Sequence, residues 1–188
     1  MQTLEYPFDS GLILQKKRSL KRQLAAQEGL VPKKVAILSG STIGEIKNIL
    51  ELFLLNAGIQ PEFYVGGYAL YYENILFDDG SLAAFQPDIL YIHTSSKNIV
   101  NLPTQAASPQ QVEEKFSAEC ARWQTLWNAA AKFGCPVIQN NFELPGYRLM
   151  GSMDAVDTHG HVNFINRLNT MTAEYAAKTP NFYMHDLA

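Results

Sequence analysis

Residues 33–58 read KKVAILSGSTIGEIKNILELFLLNAG, and the fold turns on how this stretch divides. Val35-Ala36-Ile37-Leu38 is a short unbroken apolar run, the pattern of a strand covered on both faces. It runs straight into the polar turn Ser39-Gly40-Ser41-Thr42. Ile43, Ile46, Ile49, Leu50, Phe53, Leu54 and Ala57 then recur at helical spacing, and Gly58 supplies a stop. Buried strand, tight turn and amphipathic helix together make the first half of a strand–helix–strand unit.

The same alternation continues along the chain. Glu62-Phe63-Tyr64-Val65 reads as a second strand, halted by Gly66-Gly67, and Ile89-Leu90-Tyr91-Ile92 as a third. A long amphipathic helix is expected over 110–133, ended by Gly134, before a fourth strand at Pro136-Val137-Ile138-Gln139. Another helix is expected over 163–178 and a fifth, short strand over 181–184; residues 141–161 form a long connection with little periodicity. Repeated units of this kind imply an α/β protein with a five-stranded, mostly parallel sheet between helical layers, joined by right-handed crossovers. Residues 1–30 are expected to be an N-terminal arm and helix packing on one domain, 31–188. In such sheets ligands bind at the carboxyl ends of the strands. Those ends are 39–42, 65–72, 93–98, 140–161 and Asp186.

With 188 residues the chain suffices for one substantial core, and a net charge of −3 gives no reason to expect nucleic acid or an anionic membrane as partner. The basic run Lys16, Lys17, Arg18, Lys21 and Arg22 reads as the solvated face of a helix. No apolar stretch approaches the length of a bilayer span, and the N-terminus lacks the order of a signal peptide. Cys120 and Cys135 have no metal-ligand spacing and read as free thiols, which suits a cytoplasmic location.

Two readings of the SGST turn stay open. Thr42 and Glu45 have capping-box spacing, and Ser41 could bond the first free amides of the helix. Alternatively Ser41 is a nucleophile at the strand-to-helix turn, with Gly40 exposing amides able to hold an oxyanion or phosphate. A serine nucleophile needs a base, and the four histidines are His93, His159, His161 and His185. His93 and His159 are the two candidate bases. Asp154, Asp157, His159 and His161 match no specific zinc pattern, so no metal site is expected. Gln139, Asn140 and Asn141, with Glu143 and Arg148, read equally as donors to a polar substrate or as local turn-makers. Arg167 on the following helix could hold a carboxylate or phosphate.

Five blocks in order, YPFDSGLILQKKRSLKRQL (6–24), AILSGSTIGEIKNILELFLLNAGIQPEFY (36–64), FQPDILYIHTSSKNI (85–99), VIQNNFELPGYRLMG (137–151) and DTHGHVNFINRLN (157–169), resemble the N-terminal region of FkbH-like proteins. These form subfamily IIIC of the haloacid dehalogenase (HAD) superfamily. The resemblance implies a flavodoxin-like three-layer sandwich similar to SGNH hydrolases. It places Ser41 at the nucleophile position of the first block, with Gly40 where an acid usually stands. Gly66 or Gly67 falls near the second block, which supplies an oxyanion glycine. Thr94-Ser95-Ser96-Lys97-Asn98 occupies the third, with only Asn98 matching its asparagine. The final Asp-x-x-His block has no counterpart at 186–188, and the Asp-x-Asp motif that opens a HAD domain is absent. Gly40, Thr42, Gly67, Ser95, Asn98, Asn140, Asn141, Arg148 and His161 are the residues expected to line a binding site.

The chain reads as a piece of a larger protein, and the resemblance implies that the complete protein is phosphatase-like and loads glyceryl groups onto an acyl carrier protein in polyketide-type pathways. The implied partners are the HAD domain of the same protein and an acyl carrier protein. No cofactor is expected in this chain; Mg is expected for the HAD domain. An accessory domain that binds substrate or carrier protein is the first reading. A serine hydrolase or acyltransferase using Ser41 is the second. A scaffold with an exposed apolar patch is the third.

Overall fold

The structure is a computed structural model that describes residues 4–187; residues 1–3 of the expected arm and Ala188 lie outside the described residues. Five strands form one sheet: β1 (Val31–Ser39), β2 (Ile59–Val65), β3 (Ile89–His93), β4 (Val137–Asn140) and β5 (Phe182–His185). Their order is β2-β1-β3-β4-β5 and every neighbouring pair is parallel, so the mostly parallel sheet is parallel throughout. Six α-helices are described: α1 (Ser10–Ala25), α2 (Gly44–Asn56), α3 (Tyr71–Leu76), α4 (Ser81–Phe85), α5 (Pro109–Ala130) and α6 (His161–Lys178). Helices on both faces of the sheet make a three-layer α/β sandwich.

The two faces differ in how they are covered. Ala36, Leu38, Leu90, Ile92, Val137 and Phe182 project from the first face into a core that holds Trp123 and Trp127 of α5 and Phe164 of α6. The second face presents Val35, Ile37 and Tyr91, which meet Leu50 and Leu54 of α2. Behind α2 sits α1, whose Ile13, Leu20 and Leu24 pack with Leu52 and Leu55. The basic run of α1 is engaged there: Lys17 pairs with Glu45, and Lys21 Nζ lies 2.7 Å from Glu51 Oε2.

Local chemistry sets the helix boundaries. Ser108 and Gln111 form a reciprocal capping box with Pro109 at the first helical position, so α5 starts one residue earlier than its periodicity suggests. It ends in a 3-10 turn, 131–133, closed by Gly134 at φ 71°. The short helices α3 and α4 span six and five residues, too few turns for a hydrophobic period to show. The sheet order reverses at β1, with Ser39 in register with His93 of β3. That juxtaposition makes the crevice between the carboxyl ends of β1 and β3 the switch point of the fold.

Candidate functional site

The turn after β1 is wound by Ser39, a residue outside the expected site. Its hydroxyl donates to the Ser41 carbonyl at 2.6 Å and accepts the Ser41 N–H at 3.0 Å. The Gly40 N–H donates to the His93 carbonyl at 2.9 Å. Both amides that could have faced an oxyanion are thus consumed, which corrects the expectation that Gly40 exposes them. The capping expectation is corrected as well. Helix α2 begins at Gly44 with Ile43 as its N-cap and no side-chain cap bond, and Thr42 is exposed. The self-bonded turn delays the helix until Ile43 can bury its side chain. Ser41 is partly buried, and its hydrogen bonds among the described residues are the two backbone ones to Ser39.

Asn98 faces this turn from the other side. Its Oδ1 accepts the Ser95 N–H at 2.9 Å, and its Nδ2 donates to the Gly40 carbonyl at 3.2 Å. A side chain at Gly40 would collide with the Asn98 carboxamide, so glycine is what lets the two segments meet. Gly66 is held in the same way: its N–H donates to the Ile37 carbonyl at 3.0 Å, and a Cβ there would lie 2.6 Å from Asn74 Oδ1. Gly67 is exposed next to it. Ser96 donates through backbone and hydroxyl to Glu143.

Behind Asn98 lies a buried polar network that sequence reasoning missed. Glu119 is fully buried and accepts from Asn101 N (3.1 Å), Asn101 Nδ2 (2.8 Å), Arg122 Nη1 (3.2 Å) and Trp123 Nε1 (2.8 Å). Arg122 also donates to the Tyr71 hydroxyl at 2.6 Å and stacks over Tyr72 and Trp123. A glutamate in the apolar stripe of a helix, three residues before an arginine, was the available signal.

The histidines divide into two groups. His159 is held at Nδ1 by Asp157 (2.7 Å) and at Nε2 by the Ala107 carbonyl (2.9 Å), so both ring nitrogens are taken. Asp157 raises the His159 pKa above its ordinary value, with the Ala107 carbonyl adding to the effect. His161 Nε2 lies 3.2 Å from the Pro103 carbonyl. His93 sits instead against Tyr91, whose hydroxyl lies 3.1 Å from His93 Nδ1 and 3.2 Å from His185 Nδ1. Burial, and then the neighbouring His185, hold His93 below its ordinary pKa, while Glu143 pulls it back up. Burial pushes the Tyr91 hydroxyl up to about 12. One phenol hydrogen can serve only one imidazole, so the second must donate its own Nδ1–H to the phenol oxygen. No hydrogen bond joins Ser41 to any of these rings among the described residues.

The remaining expected ligands are mostly occupied. Asn140 bonds the Thr94 N–H (2.9 Å) and carbonyl (2.6 Å), while Asn141 donates to Asp186 Oδ1 (2.6 Å) and accepts the Leu187 N–H (2.7 Å). These amides stitch strand ends together. Arg167 does hold a carboxylate, and it is that of Glu113 within the fold, gripped through two bonds at 2.9 and 2.6 Å. Arg148 is exposed in the long connection. Asp154 is fully buried and receives the Val162 N–H at the start of α6 (2.9 Å). Among the described residues no three His, Cys, Asp or Glu side chains gather into a metal-holding group. No described helix is long and apolar enough to cross a membrane.

No family model and no curated protein matches the chain. Among solved structures, the N-terminal part of protein BF1531 from Bacteroides fragilis, which contains a phosphatase domain complexed with Mg, is similar at TM-score 0.70 and 18% identity. The match covers 92% of this chain and 45% of that one, so this chain spans less than half the length of its structural neighbour. At that identity the likeness concerns the fold.

Proposed function

We propose that this chain is an SGNH-like accessory domain of a FkbH-like, HAD-IIIC protein, one that binds substrate or an acyl carrier protein without turning over an ester itself. The observation that carries this reading is the turn at Ser41. The amides of Gly40, Ser41 and Gly66 are all spent inside the fold, and among the described residues no imidazole bonds the Ser41 hydroxyl. A hydrolase keeps such donors aimed at empty space where charge develops, and keeps a base within hydrogen-bond reach of its nucleophile. The longer structural neighbour, with its phosphatase domain, supports placing the domain in a larger protein.

The reading predicts that p-nitrophenyl acetate is hydrolysed at the same rate by the wild type and by Ser41→Ala. A tenfold or greater drop in kcat/KM for the variant would favour the alternative, a serine hydrolase or acyltransferase using Ser41. That alternative has one observation in its favour: Ser41 stands at the carboxyl end of β1 beside the His93 strand, with its hydroxyl uncommitted. Binding is tested separately by calorimetric titration with a phosphopantetheinylated acyl carrier protein. Saturable uptake supports a carrier-protein role, and a flat titration removes it.

A further inference from the structure

A pocket of about 360 Å³ lies beside Asn98, and no residue of the Ser39–Thr42 turn lines it. Tyr71, Tyr72 and Glu73 of α3 line one side, Lys97 and Asn98 after β3 another, and Arg122 reaches it from α5. The first two groups follow the carboxyl ends of β2 and β3, the edge at which sheets of this kind take ligands. Ala69, also in the lining, is held at φ 58°, a left-handed conformation disfavoured for a residue that carries a Cβ.

Arg122 is fixed in place but not used up. Its Nη1 donates to the Glu119 carboxylate at 3.2 Å and to the Asn98 carbonyl at 3.4 Å, and its Nη2 donates to the Tyr71 hydroxyl at 2.6 Å. A guanidinium carries five N–H donors, so the Nε–H and one Nη2–H are left without a partner among the described residues. The group lies 4.8 Å from the ring centre of Tyr72 and 4.9 Å from that of Trp123, and the side chain is 18% exposed. A positioned, partly desolvated guanidinium with donors to spare is the group that recognises carboxylates and phosphates.

The surrounding charges are mixed. Glu119 sits behind Arg122, and the bonds it accepts spread its charge over Asn101 and Trp123 as well. Lys97 adds a second, exposed cation to the pocket lining, and the exposed Glu73 opposes it. Recognition here rests on directed N–H groups more than on net charge.

We infer that this pocket binds a small oxyanion, the carboxylate or phosphoryl group of a small molecule, with Arg122 as the group that grips it and Lys97 as the second cation. The inference rests on the substrate-binding reading above, and gives that substrate a chemical class and a place separate from Ser41.

The test titrates the protein with potassium phosphate and with potassium acetate, each balanced with potassium chloride to constant ionic strength. Tryptophan fluorescence is the readout, because Trp123 stacks on Tyr71 and lies against Arg122. A saturable change is expected with one or both oxyanions and none with chloride alone, and the salt that saturates tells phosphoryl from carboxylate. Arg122→Lys is expected to weaken binding by about tenfold or more, the scale of a lost charged hydrogen bond. Arg122 also serves Glu119, so two exposed positions carry the test independently of that variant's folding. Lys97→Gln is expected to weaken binding by roughly threefold, and Glu73→Gln to tighten it by a similar factor. Failure of both oxyanions to saturate overturns the inference, as does a midpoint that neither Lys97→Gln nor Glu73→Gln moves. Ser41 is untouched in every variant, so a failure here removes the pocket while the ester and carrier-protein assays still decide the proposed function.

Discussion

The two sides of the Ser39–Ser41 turn are built differently. Behind it, Asn98, Glu119, Arg122, Gln139 and Asn140 meet one another or nearby backbone through direct hydrogen bonds, and Glu119 alone accepts four. In front, the Ser41 hydroxyl has no such partner among the described residues, and the amides that could have served it are turned inward. The residue types on both sides are those of an active site. What separates structure from catalysis is whether their donors are spent or held ready, and at Ser41 they are spent.

The largest expected effect lies behind the turn. Glu119→Ala leaves Trp123 Nε1, Asn101 and Arg122 buried without their acceptor. It is expected to cost about 3–5 kcal/mol in urea unfolding, in the range for breaking a buried charged network. A loss below about 1 kcal/mol would mean that water replaces the carboxylate and that the network is not closed. Next comes Gly40→Ala, which drives a methyl into the Asn98 carboxamide. About 1–3 kcal/mol is expected, in line with overpacking at a tight contact. Trimming the obstacle in the double variant Gly40→Ala/Asn98→Ala should recover part of that loss, seen as non-additivity in a double-mutant cycle.

A smaller effect concerns pH. His93 has a folded pKa below its ordinary 6.5, so the unfolded chain takes up that proton first as the solution is acidified. The neutral ring's contribution to stability is therefore present above about pH 6.5 and is lost as pH falls through that value toward the folded pKa. His93→Gln should flatten this part of the stability–pH curve and leave it unchanged above pH 7. His159 runs the opposite way: its raised pKa stabilises the fold below 6.5, and the effect is lost as pH rises through the folded value. A His93 variant with the wild-type acid slope would show that another group sets it. The smallest effect is expected at Ser41 itself, where Ser41→Ala should change stability by no more than about 0.5 kcal/mol.

The strands and long helices were legible because their signals are local. The runs at 35–38 and 89–92 and the stripe of α2 each repeat within a few residues. Topology followed from the alternation, and with it the crevice where Ser39 meets His93. Helices α3 and α4 were not legible, being too short for any period. The pairing of polar groups was not legible either. Sequence displays what Asn140 and Asn141 can donate, but not that Thr94, Asp186 and Leu187 receive it. Arg167 finds Glu113 across 54 residues, and Tyr91 meets His185 across 94. Such pairs exist only once the sheet has formed. Ser39 stands in the turn read from the sequence, but its residue type does not show that its hydroxyl ties down both the N–H and the carbonyl of Ser41.

The central claim is that Ser41 is unactivated, and a fluorophosphonate probe addresses that directly. Wild type and Ser41→Ala are incubated with the probe and read by intact mass and peptide mapping. The structure predicts no adduct on the peptide that carries Ser41, and spectra of the two proteins that differ only by the oxygen atom the substitution removes. A stoichiometric adduct at Ser41 that vanishes in Ser41→Ala would contradict the account, because it requires a base and an oxyanion site that this turn does not hold.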